Sequence, residues 1–268
     1  MILIRLSLLL LIALATGCEQ TPQVPGVAKQ NYPAIITDSS ERRARAEREW
    51  RRMLDAYGVT QTPPDLYPII YTPRSLLGVS GAIKIMPYKP EPGSEDIALR
   101  TAVRGYIDRW RELVGVDPAS LSLVGAAVSD SAHRLTYRQA NYPFPIATGF
   151  GEIVVVISSD GSLIQLDDRI VPVVELPLQP AITREDAARR VLGRSFTYSD
   201  VAGRPQQVRI DAAEAISVKQ LVSLPVERGD AIEVHLAWEI VAGTSLTWTV
   251  YIDAMTGDEI KVTQNFNT

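Results

Sequence analysis

The sequence is poor in the residues that most site chemistry needs. Among 268 residues there is one cysteine, Cys18, and there are two histidines, His133 and His235. A single thiol forms neither an internal disulfide nor a thiolate metal cluster, and two imidazoles starve most metal-centred and acid–base schemes. A basic excess is also missing. The 27 Lys and Arg face 31 Asp and Glu, for a net charge of −4, the wrong sign for a nucleic-acid binder. Apart from the first residues, no apolar run approaches the roughly 18 that a membrane-spanning helix needs. What is plentiful is apolar surface: 46% of residues are hydrophobic and 22% charged. That balance excludes disorder as a whole. The length fits one large domain or two ordinary ones with a linker.

Residues 1–17 carry one charge, Arg5, before an apolar run over 6–15 that only Ser7 interrupts. The run is too short to span a bilayer as a helix, and small residues follow it, which is the layout of a secretory signal. Ala15-Thr16-Gly17-Cys18 closes it. This resembles a bacterial lipobox, with Ala15 where Leu is usual and Leu14 one place earlier. The resemblance implies cleavage before Cys18 and diacylglycerol on its sulfur, so the membrane becomes a partner through Cys18. Acyl chains contribute about 0.8 kcal/mol per buried methylene. The expected address is the bacterial cell envelope, outside the cytoplasm. Glu19 follows the cysteine where Asp accompanies inner-membrane retention, so the outer membrane is favoured where two membranes exist.

Residues 18–40 hold Pro22, Pro25, Gly26 and Pro33 with no hydrophobic period and read as a flexible tether. Asp38-Ser39-Ser40 offers a cap to a charged helix over 41–58, with Trp50, Leu54 and Tyr57 on one stripe and Gly58 as its stop. Its six arginines and four acids allow two readings, a helix lying on anionic lipid or a solvated face over a narrow docking stripe. A second helix is expected over 95–114, where Leu99, Val103, Tyr106, Trp110 and Leu113 recur at helical spacing before Gly115 and Pro118. Strands follow over 121–128, 134–139, 152–158 and 162–171, the last two joined by the hairpin signal Asp160-Gly161. Pro172, Pro177 and Pro180 make a rigid connector. Thr183 then caps a helix over 184–192, and strands are expected over 208–216, 218–224, 232–242, 246–254 and 259–263. In 232–240, Ile232, Val234, Leu236, Trp238 and Ile240 alternate with Glu233, His235 and Glu239, which places those three polar residues on the wet face.

The hairpins at 154–164 and 249–260 resemble each other as an internal repeat. The expected fold is therefore α+β: two related modules, 69–171 and 182–266, each a helix packed on an antiparallel sheet, after the lipidated flexible N-terminus.

Candidate sites are few. His235 beside Glu233 has the chemistry of a general base or pH sensor, but a solvent-facing strand histidine is the commoner case. Asp167 and Asp168 are adjacent in a strand and point to opposite faces, which argues against shared proton chemistry. Asp253, Asp258 and Glu259 present carboxylates for Ca²⁺ at a hairpin, against the commoner case of acidic turn residues without metal. Gly149-Phe150-Gly151 is half a dinucleotide fingerprint without its strand–turn–helix setting. Trp238 and Trp248 face inward by alternation. These residues lead to an expectation of no catalytic residue, no cofactor and no metal.

The helix, Asp117-Pro118, Tyr137-Arg138-Gln139 and Pro145-Ile146, with Pro73-Arg74-Ser75-Leu76-Leu77-Gly78 ahead of them, resemble the fungalysin/thermolysin-type propeptide module. The stretch from Ile182 to Asn265 is similar to the PepSY module that follows it, through Leu236-Ala237-Trp238-Glu239-Ile240 and the run from Thr247 to Ile260. Pro143 stands in the 141–145 loop where the first module usually has a glycine, so that turn differs. The resemblance implies modules that assist folding of a zinc peptidase and block its site. His-Glu-x-x-His is not in the sequence, although zinc peptidases need it. The expected function is therefore non-catalytic: a lipid-anchored envelope protein that binds an extracytoplasmic protein, a peptidase or a nascent secreted protein, and inhibits or chaperones it. The alternative is a structural spacer or assembly factor in an envelope complex.

Overall fold

The computed structural model of the protein describes residues 31–86, 95–129, 131–147 and 149–267. Cys18, the expected signal segment and most of the expected tether lie outside these residues. Tyr32–Thr268 forms one compact unit. It is α+β, with antiparallel sheets and few helices.

The first part of the unit runs β1 (Ala34–Thr37), α1 (Ser40–Ala56), β2 (Asp65–Leu66), β3 (Pro73–Ser75), β4 (Ile83–Lys84), α2 (Glu95–Arg109) and α3 (Arg111–Val114). Next come β5 (Leu121–Val128), β6 (Ala132–Gln139), β7 (Glu152–Ser158) and β8 (Ser162–Asp168). After a connector, α4 (Arg184–Val191) precedes β9 (Ser195–Ser199), β10 (Pro205–Arg209) and β11 (Ile216–Arg228). β12 (Ala231–Ala242), β13 (Trp248–Asp253) and β14 (Glu259–Gln264) complete the unit.

The first sheet has the order β4-β8-β7-β6-β5, antiparallel throughout. Strand alternation turns Leu135, Tyr137, Ile153, Val155, Ile157 and Leu163 to one face. Helical spacing turns Trp50, Met53 and Leu54 of α1, and Leu99, Val103 and Tyr106 of α2, into the same core. The docking-stripe reading of the charged helix thus describes its packing, and Trp50 Nε1 also donates to Thr62 O at 2.8 Å. Ser39 caps α1 by accepting Arg42 N–H. The single helix expected over 95–114 is broken at Trp110 (φ −113°), whose buried indole lies 6.2 Å from the Tyr57 ring. The hairpin at Asp160-Gly161 needs its glycine twice over. Its φ is 86°, and a Cβ there would sit 2.1 Å from Met86 O.

The second sheet is built around β12. β11 pairs along one edge of it, from Ala231 to Ala242. The other edge is shared end to end by β1, opposite Ala231–Val234, and β13, opposite Ala237–Ala242, with β14 outside β13. β11 contains the strand expected over 218–224 and bulges between Val218 and Gln220, whereas the strand expected over 208–216 is divided among the end of β10, an irregular stretch over 210–215 and the first residue of β11. Thr183 caps α4, whose Ala187 and Val191 pack with Val218, Ile240, Trp248 and Val250. β9 and β10 form a hairpin ahead of and overlapping the start of the strand expected over 208–216, and Phe196 stacks on Trp248 at 4.9 Å.

A third cluster joins the two sheets: Ile36, Ile69, Ile70, Tyr142, Ile146, Val171, Leu176, Ile232 and Val234. The turn before β3 is strained to reach it. Ile69 and Tyr71 have φ of 69° and 58°, a region that L residues avoid and β-branched ones avoid most. The Pro143 loop contributes Tyr142, whose hydroxyl donates to Pro172 O at 2.6 Å, and Ile146, which bridges in parallel to Ser223 of β11. The connector is thus held on both sides, with Gln139 Nε2 donating to Val171 O at 2.9 Å.

One expectation about the tether needs correction. Residues 34–37, inside the stretch expected to be flexible, form β1. Ala34-Ile35-Ile36-Thr37 is short, but its β-branched side chains suit a pleated surface, and Ile36 is buried in the joint.

Asp168 ends β8 at 0% exposure. Its Oδ1 accepts Ile170 N–H at 3.0 Å, and its Oδ2 meets no described donor. Burial pushes its carboxyl well above the usual range, against the pull of the Ile170 N–H. A raised carboxyl stabilises the fold fully below the unfolded value of about 3.9, and that contribution is lost as pH rises through the folded value. Asp168→Asn is expected to stabilise the protein at pH 7 by about 1–3 kcal/mol. In urea titrations the gain should shrink toward pH 4, where the native carboxyl is neutral too.

Candidate functional site

Alternation along β12 sets Glu233 and His235 on one face, opposite Ile232 and Val234. On the edge shared by two strands, β1 ends opposite Val234 and β13 begins its pairing at Ala237. His235 and Leu236 therefore fall in the break, and the backbone of Leu236 needs other partners. Ala254 N–H donates to Leu236 O at 2.8 Å. Leu236 N–H donates to the Tyr32 hydroxyl at 3.1 Å.

The Tyr32 hydroxyl lies 3.0 Å from each carboxylate oxygen of Asp253 and donates to that group. Asp253 ends β13, and its Oδ1 also accepts the N–H of Met255 (2.8 Å) and Thr256 (3.0 Å), which closes the hairpin turn. Its Oδ2 is 2.8 Å from His235 Nδ1, and His235 Nε2 is 3.1 Å from Glu233 Oε2. Arg228 Nε stands 3.9 Å from the same Glu233 oxygen. The Tyr32 ring meets the imidazole edge-on, with centroids 5.9 Å apart.

Burial pushes the Tyr32 hydroxyl well above its ordinary value, and the Asp253 charge and hydrogen bond push it the same way. Burial acts on Asp253 in the upward direction too. The bonds from His235, from the Thr256 and Met255 N–H groups and from Tyr32 outweigh it and hold the carboxyl below its usual range. The pair is thus a protonated phenol on an ionised carboxylate. In a hydrolytic triad the imidazole gives one nitrogen to a carboxylate and the other to a nucleophile. Here both nitrogens end on carboxylates, so the arrangement is a clasp between β1, β12 and β13.

His235 was expected to face solvent and instead is 9% exposed, because Tyr32 and Asp253 cover it. Tyr32 was missed altogether, since it sits in the expected tether; the aromatic just ahead of a β-branched run was the available signal. The three hairpin carboxylates are not brought together. Asp253 turns to His235, Asp258 accepts from Thr256 Oγ1 at 2.7 Å, and Glu259 pairs with Arg194. No group of three or more His, Cys, Asp and Glu side chains among the described residues is arranged to hold a metal ion. His133 sits on β6 between Val128 and Ile157, away from His235. Asp167 accepts the Tyr67 hydroxyl at 2.9 Å, while Asp168 is buried in the core. Trp248 is buried, and Trp238, half-buried, donates to Ile182 O at 3.2 Å.

No protein-family model matches the chain, and no curated protein matches it. Among solved structures the chain is similar to the Bacillus megaterium YpeB C-terminal domain, with 17% identity, 68% of this chain and 69% of that chain covered, and a TM-score of 0.34.

Tyr32→Phe leaves Leu236 N–H and Asp253 each short of a partner and is expected to cost about 1–2 kcal/mol in urea unfolding. Because Asp253 is depressed, its contribution is complete above the unfolded value of about 3.9 and is lost as pH falls through the folded value. Asp253→Asn should therefore be less stable than the native chain at pH 7, with the gap narrowing in acid below the usual carboxylate range.

Proposed function

We propose that the protein is a non-catalytic, lipid-anchored envelope protein that binds an extracytoplasmic protein, a peptidase or a nascent secreted protein, and modulates it. In this reading 69–171 is a propeptide-like module and 182–266 a PepSY-like module, each with its helix on an antiparallel sheet, and they act through a folded surface. The observation that supports it most directly is the clasp. The imidazole that the sequence offers beside acidic residues ties Asp253 of β13 to Glu233 of its own strand and keeps no ring nitrogen for a reacting group. The resemblance of 182–265 to the PepSY module supplies the expected partner class.

A second reading, a spacer or assembly factor, is favoured by the apolar joint that ties the two sheets together. Crosslinking in cells separates the two, since a spacer is recovered in a stable complex without a peptidase.

For the principal reading, the purified protein is mixed with extracytoplasmic peptidases of the same cell. Co-elution of a complex with an altered hydrolysis rate is expected; neither occurring with any of them contradicts the reading. The anchor is checked separately. Cys18→Ala is expected to abolish incorporation of labelled palmitate and to move the protein from the membrane pellet to the soluble fraction.

A further inference from the structure

Native sheets blunt their free edges, because unpaired backbone N–H and C=O groups recruit other strands. Most edges here follow that rule. β4 is two residues long, and β14 carries Glu259 and Lys261. β11 carries Lys219, Glu227 and Arg228 and has Ile146 bridged to its Ser223.

β5 follows it only through a bulge at Val124, between Leu123 and Gly125. It ends the first sheet, pairs with β6 alone among the described strands, and runs eight residues, Leu-Ser-Leu-Val-Gly-Ala-Ala-Val, without a charge or a proline. Val124 is 51% exposed and Val128 74%. At the Ser122 end the strand borders a groove walled by Val124, Tyr142, Pro143 and Phe144.

Charge narrows what such an edge would take. On β6, Leu135 and Tyr137 face the core, so Arg134 and Arg138 lie on the open face. Their neighbours on β5 are small: Ala127 opposite Arg134, Gly125 opposite Thr136 and Ser122 opposite Arg138. Nothing on β5 therefore stops these arginines from reaching across it. A strand added to β5 would lie two strand spacings from β6, about 10 Å, a gap that an arginine and a glutamate span between them. Arg138 is held by Glu152 at 2.6 Å, whereas Arg134 is exposed and pairs with no described residue. On the opposite face, Ala126 and Val128 offer apolar contact.

We infer that the free edge of β5 is a docking rail for an extended peptide segment of alternating acidic and apolar residues, added as a further antiparallel or parallel strand with its acids toward Arg134. This rests on the protein-binding reading above and specifies the partner's chemistry. Main-chain hydrogen bonds supply affinity in such strand addition, and alternate side chains supply selectivity.

The test uses a labelled decapeptide alternating valine and glutamate, and its counterpart with lysine for glutamate. Fluorescence anisotropy reads affinity, and amide hydrogen exchange over 121–128 reads location. The glutamate peptide is expected to bind at least tenfold more tightly than the lysine one and to protect 121–128. Arg134→Glu should reverse the order. Ala127→Glu, at an exposed position, should abolish binding of the glutamate peptide while leaving the circular dichroism spectrum unchanged. Equal binding of the two peptides, a preference that survives Arg134→Glu, or protection confined elsewhere overturns the inference. So does concentration-dependent protection of 121–128 without peptide, which would make the occupant a second copy. A peptidase complex that persists in Ala127→Glu removes the rail and leaves the binding role standing. No complex with the native chain removes the binding role itself.

Discussion

The second sheet depends on how one strand edge is completed. β12 has a full partner on one side, but on the other its pairing is divided between β1 and β13, with His235 and Leu236 in between. A gap in a buried ladder costs the desolvation of unpaired amide groups. The Tyr32 hydroxyl and the Ala254 amide fill it, and Asp253 gathers Tyr32, His235 and its own turn amides on one carboxylate. Such a network stabilises through each member being satisfied. Its residues are consequently a structural unit, although taken singly they look like parts of a reaction centre.

That unit has reach beyond its own sheet. β1 leads within three residues into α1, whose Trp50, Met53 and Leu54 are buried with the first sheet. The segment that begins at Tyr32 is therefore a strap, with one end in the second sheet and the other in the first core. Ile36 at its middle joins the cluster of Tyr142, Ile146, Val171 and Ile232, and Ile69 of the same cluster sits at a positive φ, so backbone strain accompanies that joint.

What was legible in the sequence was local. Alternation over 232–240, the Asp160-Gly161 hairpin, the Thr183 cap and the left-handed Gly115 stop each follow from a few neighbouring residues. The illegible features come from distant pairings. Tyr32 meets Asp253 across 221 positions, and nothing near either residue announces the other. His235 reads as a wet strand residue until that partner covers it. Alternation turns Asp167 and Asp168 to opposite faces, but that Asp168 is the one in a dry core comes from the packing around it. β9 and most of β10 escaped because their side chains are mixed and polar, with Phe196 and Val208, the first residue of the strand expected over 208–216, their main apolar contribution to the core.

The functional reading and the fold meet at the surfaces left free once this framework is in place. The polar cluster is occupied with holding strands together, so the proposed binding role would fall to edges and grooves, whose geometry is only as firm as the strap. The direct test of that claim is amide hydrogen exchange of residues 34–37 in the native chain and in Tyr32→Phe. The strap should loosen locally, with exchange in 34–37 about tenfold faster or more and the amides of 152–158 unchanged. Protection of 34–37 equal to that of the native chain would contradict the account.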